Sequence, residues 1–263
     1  MYAFAYDKPA TLADALQKIA TGGQPLAGGQ TLIASLKQRL AQPEMLVDLA
    51  GVADLAGIRR EGSAIVIGAM TRHEAVAGSA EVQQAIPALA ALAGGIGDRQ
   101  VRAMGTLGGS VANNDPAADY PAAVLGLGAT VHTSQRQIAA DDFFQGMYAT
   151  ALEPGEIITA ISFPIPAKAA YAKFRQPASR FALVGVFVAQ TAAGVRVAIT
   201  GAGNGVFRHP GLEAALAGSF SPEAVDGVAI DASELNSDLH ASAEYRAQLI
   251  KVQTRRAVAQ ARG

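Results

Sequence analysis

Hydrophobic positions along this chain alternate between helical and strand spacing, and the alternation divides the sequence into three stretches. In the first, the pattern predicts a helix over Leu12–Ala20 with Thr11 or Asp14 at its start, and a strand over Gln24–Ala27. Leu32, Ile33, Leu36 and Leu40 then share one face of a helix over Thr31–Leu40, and a strand follows over Met45–Leu49. This α/β unit ends near Val52-Ala53-Asp54. In the second stretch, Ile58–Arg60 and Ala64–Gly68 read as paired strands around Glu61-Gly62-Ser63. Helical patterns follow at Thr71–Val76, Ala85–Leu92 and the alanine-rich Ala118–Leu127, then strands at Ala129–Thr133 and Ile157–Phe163. Pro164-Ile165-Pro166 marks the boundary, because proline breaks both regular structures. The third stretch opens with strands at Tyr171–Arg175, Ala182–Thr191 and Val195–Thr200, and closes with a helix over Ala241–Ala261. Tyr245, Leu249 and Val252 give that helix an apolar side, and Arg246, Lys251, Arg255 and Arg256 a basic one. The basic side either complements the helix dipole or meets a partner subunit.

Two glycine-rich segments interrupt the periodic pattern. The first is Ala27-Gly28-Gly29-Gln30-Thr31, between a short apolar run and a helix. The second runs from Thr106-Leu107-Gly108-Gly109-Ser110 through Asn113 to Asp115, Pro116 and Asp119. Glycine lets a backbone approach a ligand closely, and the free N–H groups of a glycine turn bind phosphate oxygens. Either segment alone is also a plain turn; the two together point to a ligand with two phosphates held from both sides. Gly201-Ala202-Gly203-Asn204-Gly205 lacks the offsets of a dinucleotide fingerprint and reads as a tight turn. Asp115 and Asp119 flank Pro116 and read as the start of the helix at Ala118, with Asp115 as its cap.

Composition narrows the chemistry. Of 263 residues, 50% are hydrophobic and only 16% charged, apolar enough to expect surface covered by partners. The net charge of −1 points to neither nucleic acid nor an anionic membrane. With no cysteine, the chain itself holds no disulfide and no cysteine-ligated iron–sulfur cluster or zinc. His73, His132, His209 and His240 stand far apart without metal-ligand spacing. No apolar run reaches membrane-spanning length, and the first residues lack the order of a signal peptide, so the expected location is cytoplasmic.

The order of these segments resembles the FAD-binding medium subunit of the molybdenum hydroxylases, the family of aerobic carbon monoxide dehydrogenase and xanthine dehydrogenase. The match runs nearly end to end: Phe4, Tyr6 and Pro9; the two glycine segments; Gln100-Val101-Arg102; Tyr171, Lys173 and Arg175; Gly201, Gly203 and Arg208; and Tyr245-Arg246 with Arg255-Arg256. The resemblance implies an α+β fold: two α/β subdomains, about 1–53 and 54–166, of a PCMH-type FAD-binding domain 1–166, then a C-terminal α+β domain 167–263 like that of the carbon monoxide dehydrogenase flavoprotein. It implies non-covalent FAD, with Ala27, Gly28, Gly29, Gln30, Thr31, Thr106, Gly108, Gly109 and Ser110 around the pyrophosphate. Asn113, Asp115, Ile158 and Asp119 complete the cofactor site, the last on a ribitol or ribose hydroxyl. Ile96 stands where some relatives place an aromatic residue over the flavin. Lys173 is either an exposed strand lysine, as its pattern alone suggests, or the family's flavin-facing lysine. Arg180 departs from the family, which commonly has an aspartate there, and Ala103-Met104 replace an Asn-Arg pair.

As to activity, the resemblance implies an oxidoreductase subunit. It would take electrons from 2Fe–2S clusters of a small subunit, fed by the molybdenum cofactor of a large one, in a dimer of heterotrimers. The electrons would pass to a quinone, NAD⁺ or oxygen. Two other readings are a stand-alone FAD oxidase of the vanillyl-alcohol oxidase type and a non-enzymatic nucleotide-binding scaffold.

Overall fold

The computed structural model describes all 263 residues. Its first unit is a three-stranded parallel sheet in the order Ala5–Asp7, Met45–Asp48, Gln24–Leu26. The helix Leu12–Ala20 starts where the pattern places it, because the Thr11 hydroxyl accepts from the Asp14 N–H at 3.1 Å. It packs Ala15 and Ile19 against Val47. The next helix is shorter than the pattern predicts, Leu32–Lys37. Arg39 turns left-handed (φ 61°) and carries Leu40 out to solvent, leaving Leu36 as the fully buried residue.

The second unit is a five-stranded antiparallel sheet ordered Ile58–Glu61, Ala64–Gly68, Ile158–Pro164, Thr130–Thr133, Gln137–Ala139. Six helices lie between Gly68 and Thr130 in the chain. The predicted helix over Ala85–Leu92 is in fact two, Ala80–Ala85 and Pro87–Gly94. Pro87 forces Ile86 out of the helical region (φ −140°, ψ 70°), so the chain breaks there. The pattern misses Arg99–Met104, which Asp98 caps by accepting from the Val101 N–H at 2.8 Å.

The third unit is a four-stranded antiparallel sheet in the sequential order Lys168–Arg175, Ala182–Thr191, Gly194–Thr200, Phe207–Arg208. Eight consecutive residues from Ala182 are buried, so both faces of that strand are covered. The long helix Ala243–Arg262 covers one face, with Leu249, Ile250, Ala257 and Val258 against Val184, Val186 and Val188. Helix Tyr120–Leu127 of the second unit covers the other, so tightly that a side chain on Gly126 would start 2.8 Å from the Phe187 ring. Phe187, Ala189 and Ala198 therefore belong to the same apolar core as Ile65, Leu89 and Val131. Of the basic residues on the final helix, Arg246 is buried, donating to the carbonyls of Leu183 and Gly201 and pairing with Asp238. Arg255 pairs with Asp226, whose carbonyl takes a hydrogen bond from Lys251. No helix is long and apolar enough to cross a membrane.

Candidate functional site

A cleft of 610 Å³ lies between the first two units, and the two glycine segments meet in its wall. Gly28 sits so close to the second segment that a side chain there would run into the Met104 carbonyl and the Gly105 Cα. Gly29 turns with φ 71°, a conformation that other side chains rarely adopt. Gly109 faces back: a Cβ on it would lie 2.9 Å from the Thr106 hydroxyl and 3.2 Å from the Ala27 methyl. Gly108 lies as tightly on Ala69.

The two segments differ in what they offer a ligand. The backbone N–H groups of Gly28, Gly29, Gln30 and Thr31 donate to no acceptor within the protein, while Ile33 and Ser35 donate back to the Gly29 and Thr31 carbonyls. A run of unengaged amides at a cleft wall is an anion cradle, since such groups are rarely left without an acceptor. The sequence pattern predicts a like set from the second segment, but its amides are engaged within the protein. Thr106 caps a helix, Leu107–Asn113, and the N–H groups of Leu107, Gly108, Gly109 and Ser110 donate to Thr71, Ala69 and Thr106. Its contribution is a surface without side chains, plus the Ser110 hydroxyl and Asn113 amide, which make no hydrogen bond with the protein and border the cleft.

The acidic tail of this segment also departs from its pattern. Helix Tyr120–Leu127 begins two residues later than expected, with Asp119 rather than Asp115 at the cap position and no cap hydrogen bond. Asp115 instead accepts from the Ala117 N–H (2.8 Å) and the Tyr148 hydroxyl (3.3 Å). Asp119 is buried and accepts from Lys173 Nζ at 2.8 Å and the Tyr171 hydroxyl at 2.5 Å. Burial pushes its carboxyl up, against the opposing pull of Lys173, Tyr171 and Arg175. Thr200 fixes the segment from below by donating to the Pro116 and Ala118 carbonyls.

Lys173 is accordingly not the exposed strand lysine its pattern suggests: its side chain is 6% exposed. It stands one residue behind the wall and reaches the cleft through Asp119. Every other site residue named from the sequence borders the cleft, including Ile96 and Ile158 on its apolar side. Arg180 borders it too, in a left-handed conformation (φ 62°) that carries its guanidinium to the Gly97 carbonyl at 3.4 Å.

Pattern reading misses His73, Glu156, Tyr148 and Phe181, which also line the cleft. Glu156 is held by Arg136, the Thr133 hydroxyl and the Glu153 N–H. Burial raises its carboxyl, but these hydrogen bonds outweigh it and bring it to about 2. His73 lies under Gly105 and tilts against Tyr120, ring centroids 5.3 Å apart, with Nδ1 unpartnered. Burial, then the nearby Arg102, lowers its pKa to about 4. The imidazole is thus neutral in the fold and titrates near 6.5 when unfolded. The unfolded chain binds the extra proton between those values, so stability falls as pH drops through that window. A loss of about 2–3 kcal/mol from this residue is expected between pH ~7 and ~4.5. Urea denaturation of the parent and of His73→Gln at both pH values checks this; equal losses in both would assign the acid sensitivity elsewhere.

Comparison with known proteins agrees with this geometry. Residues 2–166 match the family described as the FAD binding domain in molybdopterin dehydrogenase. The chain belongs to this flavoprotein family of the molybdenum hydroxylases. Residues 169–261 match the CO dehydrogenase flavoprotein C-terminal domain. Among its relatives, the carbon monoxide dehydrogenase medium chain of Afipia carboxidovorans is 38% identical, covering 98% of this chain and 96% of that one. The nicotine 6-hydroxylase medium subunit of Paenarthrobacter nicotinovorans is 35% identical, covering 98% and 97%. Among solved structures, reconstituted CO dehydrogenase from Oligotropha carboxidovorans superposes with a TM-score of 0.92 at 37% identity, covering 99% of this chain and 98% of that one. Quinoline 2-oxidoreductase from Pseudomonas putida 86 gives 0.89 at 29%, covering 99% and 97%. The family thus has the two-domain α+β architecture found here, and its members are subunits of oxidoreductases.

Proposed function

We propose that this chain is the FAD-carrying, electron-transferring subunit of a heteromeric molybdenum hydroxylase. The observation that carries the reading is the run of unengaged amides from Gly28 to Thr31, opposite the bare surface of Gly108–Gly109. Four amides suit the oxygens of a pyrophosphate, and glycine on the facing side lets it approach. The Ser110 hydroxyl and Asn113 amide would be free to hydrogen-bond the sugar or polyol of the cofactor, and Asp119 borders the same cleft. Ile96, Ile158 and Phe181 offer apolar walls to a planar ring. FAD, when bound, supplies reversible uptake and release of two electrons; the protein's part is binding, orientation and electrostatics.

The remaining chemistry belongs to other chains. Without cysteine this one carries no cysteine-ligated cluster, so an iron–sulfur subunit delivers the electrons and a molybdopterin subunit oxidises the substrate. The proposed assembly is a dimer of such heterotrimers in the cytoplasm, and a quinone, NAD⁺ or oxygen takes the electrons. Relatives of similar identity are named for carbon monoxide, nicotine and quinoline, which agrees with a substrate chosen elsewhere in the complex. A stand-alone oxidase would need a substrate domain, whereas this chain matches medium subunits along 96–97% of their length.

The purified chain is expected to be yellow and to release its flavin into the supernatant on acid precipitation. Its flavin should be reduced by dithionite and reoxidised by an acceptor, while organic substrates turn over only once the two partner subunits are added. Flavin left in the acid pellet would refute non-covalent binding, and substrate turnover by the chain alone would favour the oxidase.

A further inference from the structure

A second, smaller cleft of 220 Å³ lies on the far side of the Lys173–Asp119 ion pair. Its walls are the end of helix Pro87–Gly94, strand Lys168–Arg175 and the final helix Ala243–Arg262. The charged residues lining it are Lys173, Arg175 and Arg256, and no carboxylate does. Lys173 gives Asp119 one of its three N–H groups and the Gly95 carbonyl a second, longer contact at 3.4 Å. Arg175 lines the cleft, its Nη2 lying 3.4 Å from where a side chain on Gly95 would begin, and it has no ion pair. Arg256 likewise has none, in contrast to Arg246 and Arg255 on the same helix.

The decisive residue is Gln253. It is 1% exposed, it lines this cleft, and its Nε2 has no hydrogen-bond partner. A buried amide N–H without an acceptor is uncommon in a native fold and points to a group that completes it. The charged side chains that line the cleft beside it are all positive, so an acceptor carrying negative charge suits the place.

We propose that this cleft is a binding site for a small oxyanion of the phosphate class. The guanidinium groups of Arg175 and Arg256 would hold its oxygens, Gln253 would donate the neutral hydrogen bond, and the Lys173 ammonium, held on its other side by Asp119, would face it. Guanidinium suits this task because its planar fork pairs with two oxygens at once. The site is separate from the large cleft and does not depend on the identity of the cofactor there.

The test is calorimetric titration of inorganic phosphate into the full FAD-loaded chain, at constant ionic strength maintained with chloride. The expected result is one saturable site per chain. Arg175→Gln and Arg256→Gln should each weaken it by roughly tenfold, the size of one lost charge-assisted hydrogen bond, and together abolish it. Gln253→Leu keeps the shape and removes the donor, so it should also weaken binding; a diffuse positive patch would be indifferent to it. Absence of saturable binding, or unchanged affinity in the double arginine variant, would overturn the proposal. So would loss of binding once the partner subunits assemble, since the cleft would then belong to a subunit interface. Phosphate lodging in the large cleft would be recognised by its insensitivity to all three substitutions, and would also overturn it.

Discussion

Lys173→Met is expected to lower the stability of the chain by about 3–5 kcal/mol, the usual cost of removing one partner from a buried ion pair. The lysine side chain is 6% exposed and its carboxylate partner 5%, so neither can turn to water once the other is gone. The Tyr171 hydroxyl still donates to Asp119 but does not replace a charge. Burial already pushes the Asp119 carboxyl up, and loss of the ammonium pushes it further. A carboxyl with a raised pKa in the fold loses stability as pH rises from its free value toward the raised one, so the deficit of the variant should grow as pH rises above 3.8. Asp119→Asn combined with Lys173→Met should restore more than half of the loss, because the amide keeps an acceptor for Tyr171. Urea denaturation of the double-mutant cycle decides it. Additive effects, or a single variant within about 1 kcal/mol of the parent, would mean that the pair is not coupled. Because Asp119 matches the charge of Lys173 and stands between it and the large cleft, the effect falls on the fold before it falls on flavin potential.

Gly109→Val should leave a folded chain that no longer retains FAD. A Cβ at this position sits 3.2 Å from the Ala27 methyl and 2.9 Å from the Thr106 hydroxyl. A branched side chain therefore has to project into the cleft, where the first segment presents its free amides. Losing two or three charge-assisted hydrogen bonds to a pyrophosphate weakens binding by about three orders of magnitude. Gly109→Ala, needing only a few tenths of an ångström, should keep most of the affinity. Gly28→Ala is the contrasting case, because its methyl strikes the Met104 carbonyl and forces the two segments apart. Flavin content after gel filtration, with circular dichroism as the control for folding, distinguishes them. A folded Gly109→Val chain with full flavin would refute the assignment of this wall to the cofactor.

Local spacing carries much of this architecture. The helix at Leu12–Ala20 and the strand at Ala182–Thr191 stand where their patterns put them, because hydrophobic period and a capping threonine act over a few residues. The glycine segments are legible for a related reason: Gly29 needs a left-handed backbone, and Gly28 needs room. Distant contacts leave no such mark. Lys173 reads as a surface residue because its partner is 54 positions away, and nothing around His73 announces that Gly105 will cover it. The helix at Leu107–Asn113 is hidden by its own glycines, which are poor helix formers. They are there because helix and sheet touch: a side chain on Gly108 would begin 2.5 Å from the Ala69 methyl.

The strand Ala182–Thr191, covered on both sides, also constrains how this protein can be divided or inherited. Every residue of helix Tyr120–Leu127 is buried, and the strands after Pro166 supply much of its cover. A polypeptide ended at that proline would present Tyr120–Leu127 to water as a bare apolar ridge, and one begun there would lack a lid for Phe187 and Ala198. Neither half is a portable module. The two matched regions meet along the chain like cassettes, yet each is a missing layer of the other, so an exchange between relatives would have to carry both or rebuild the seam.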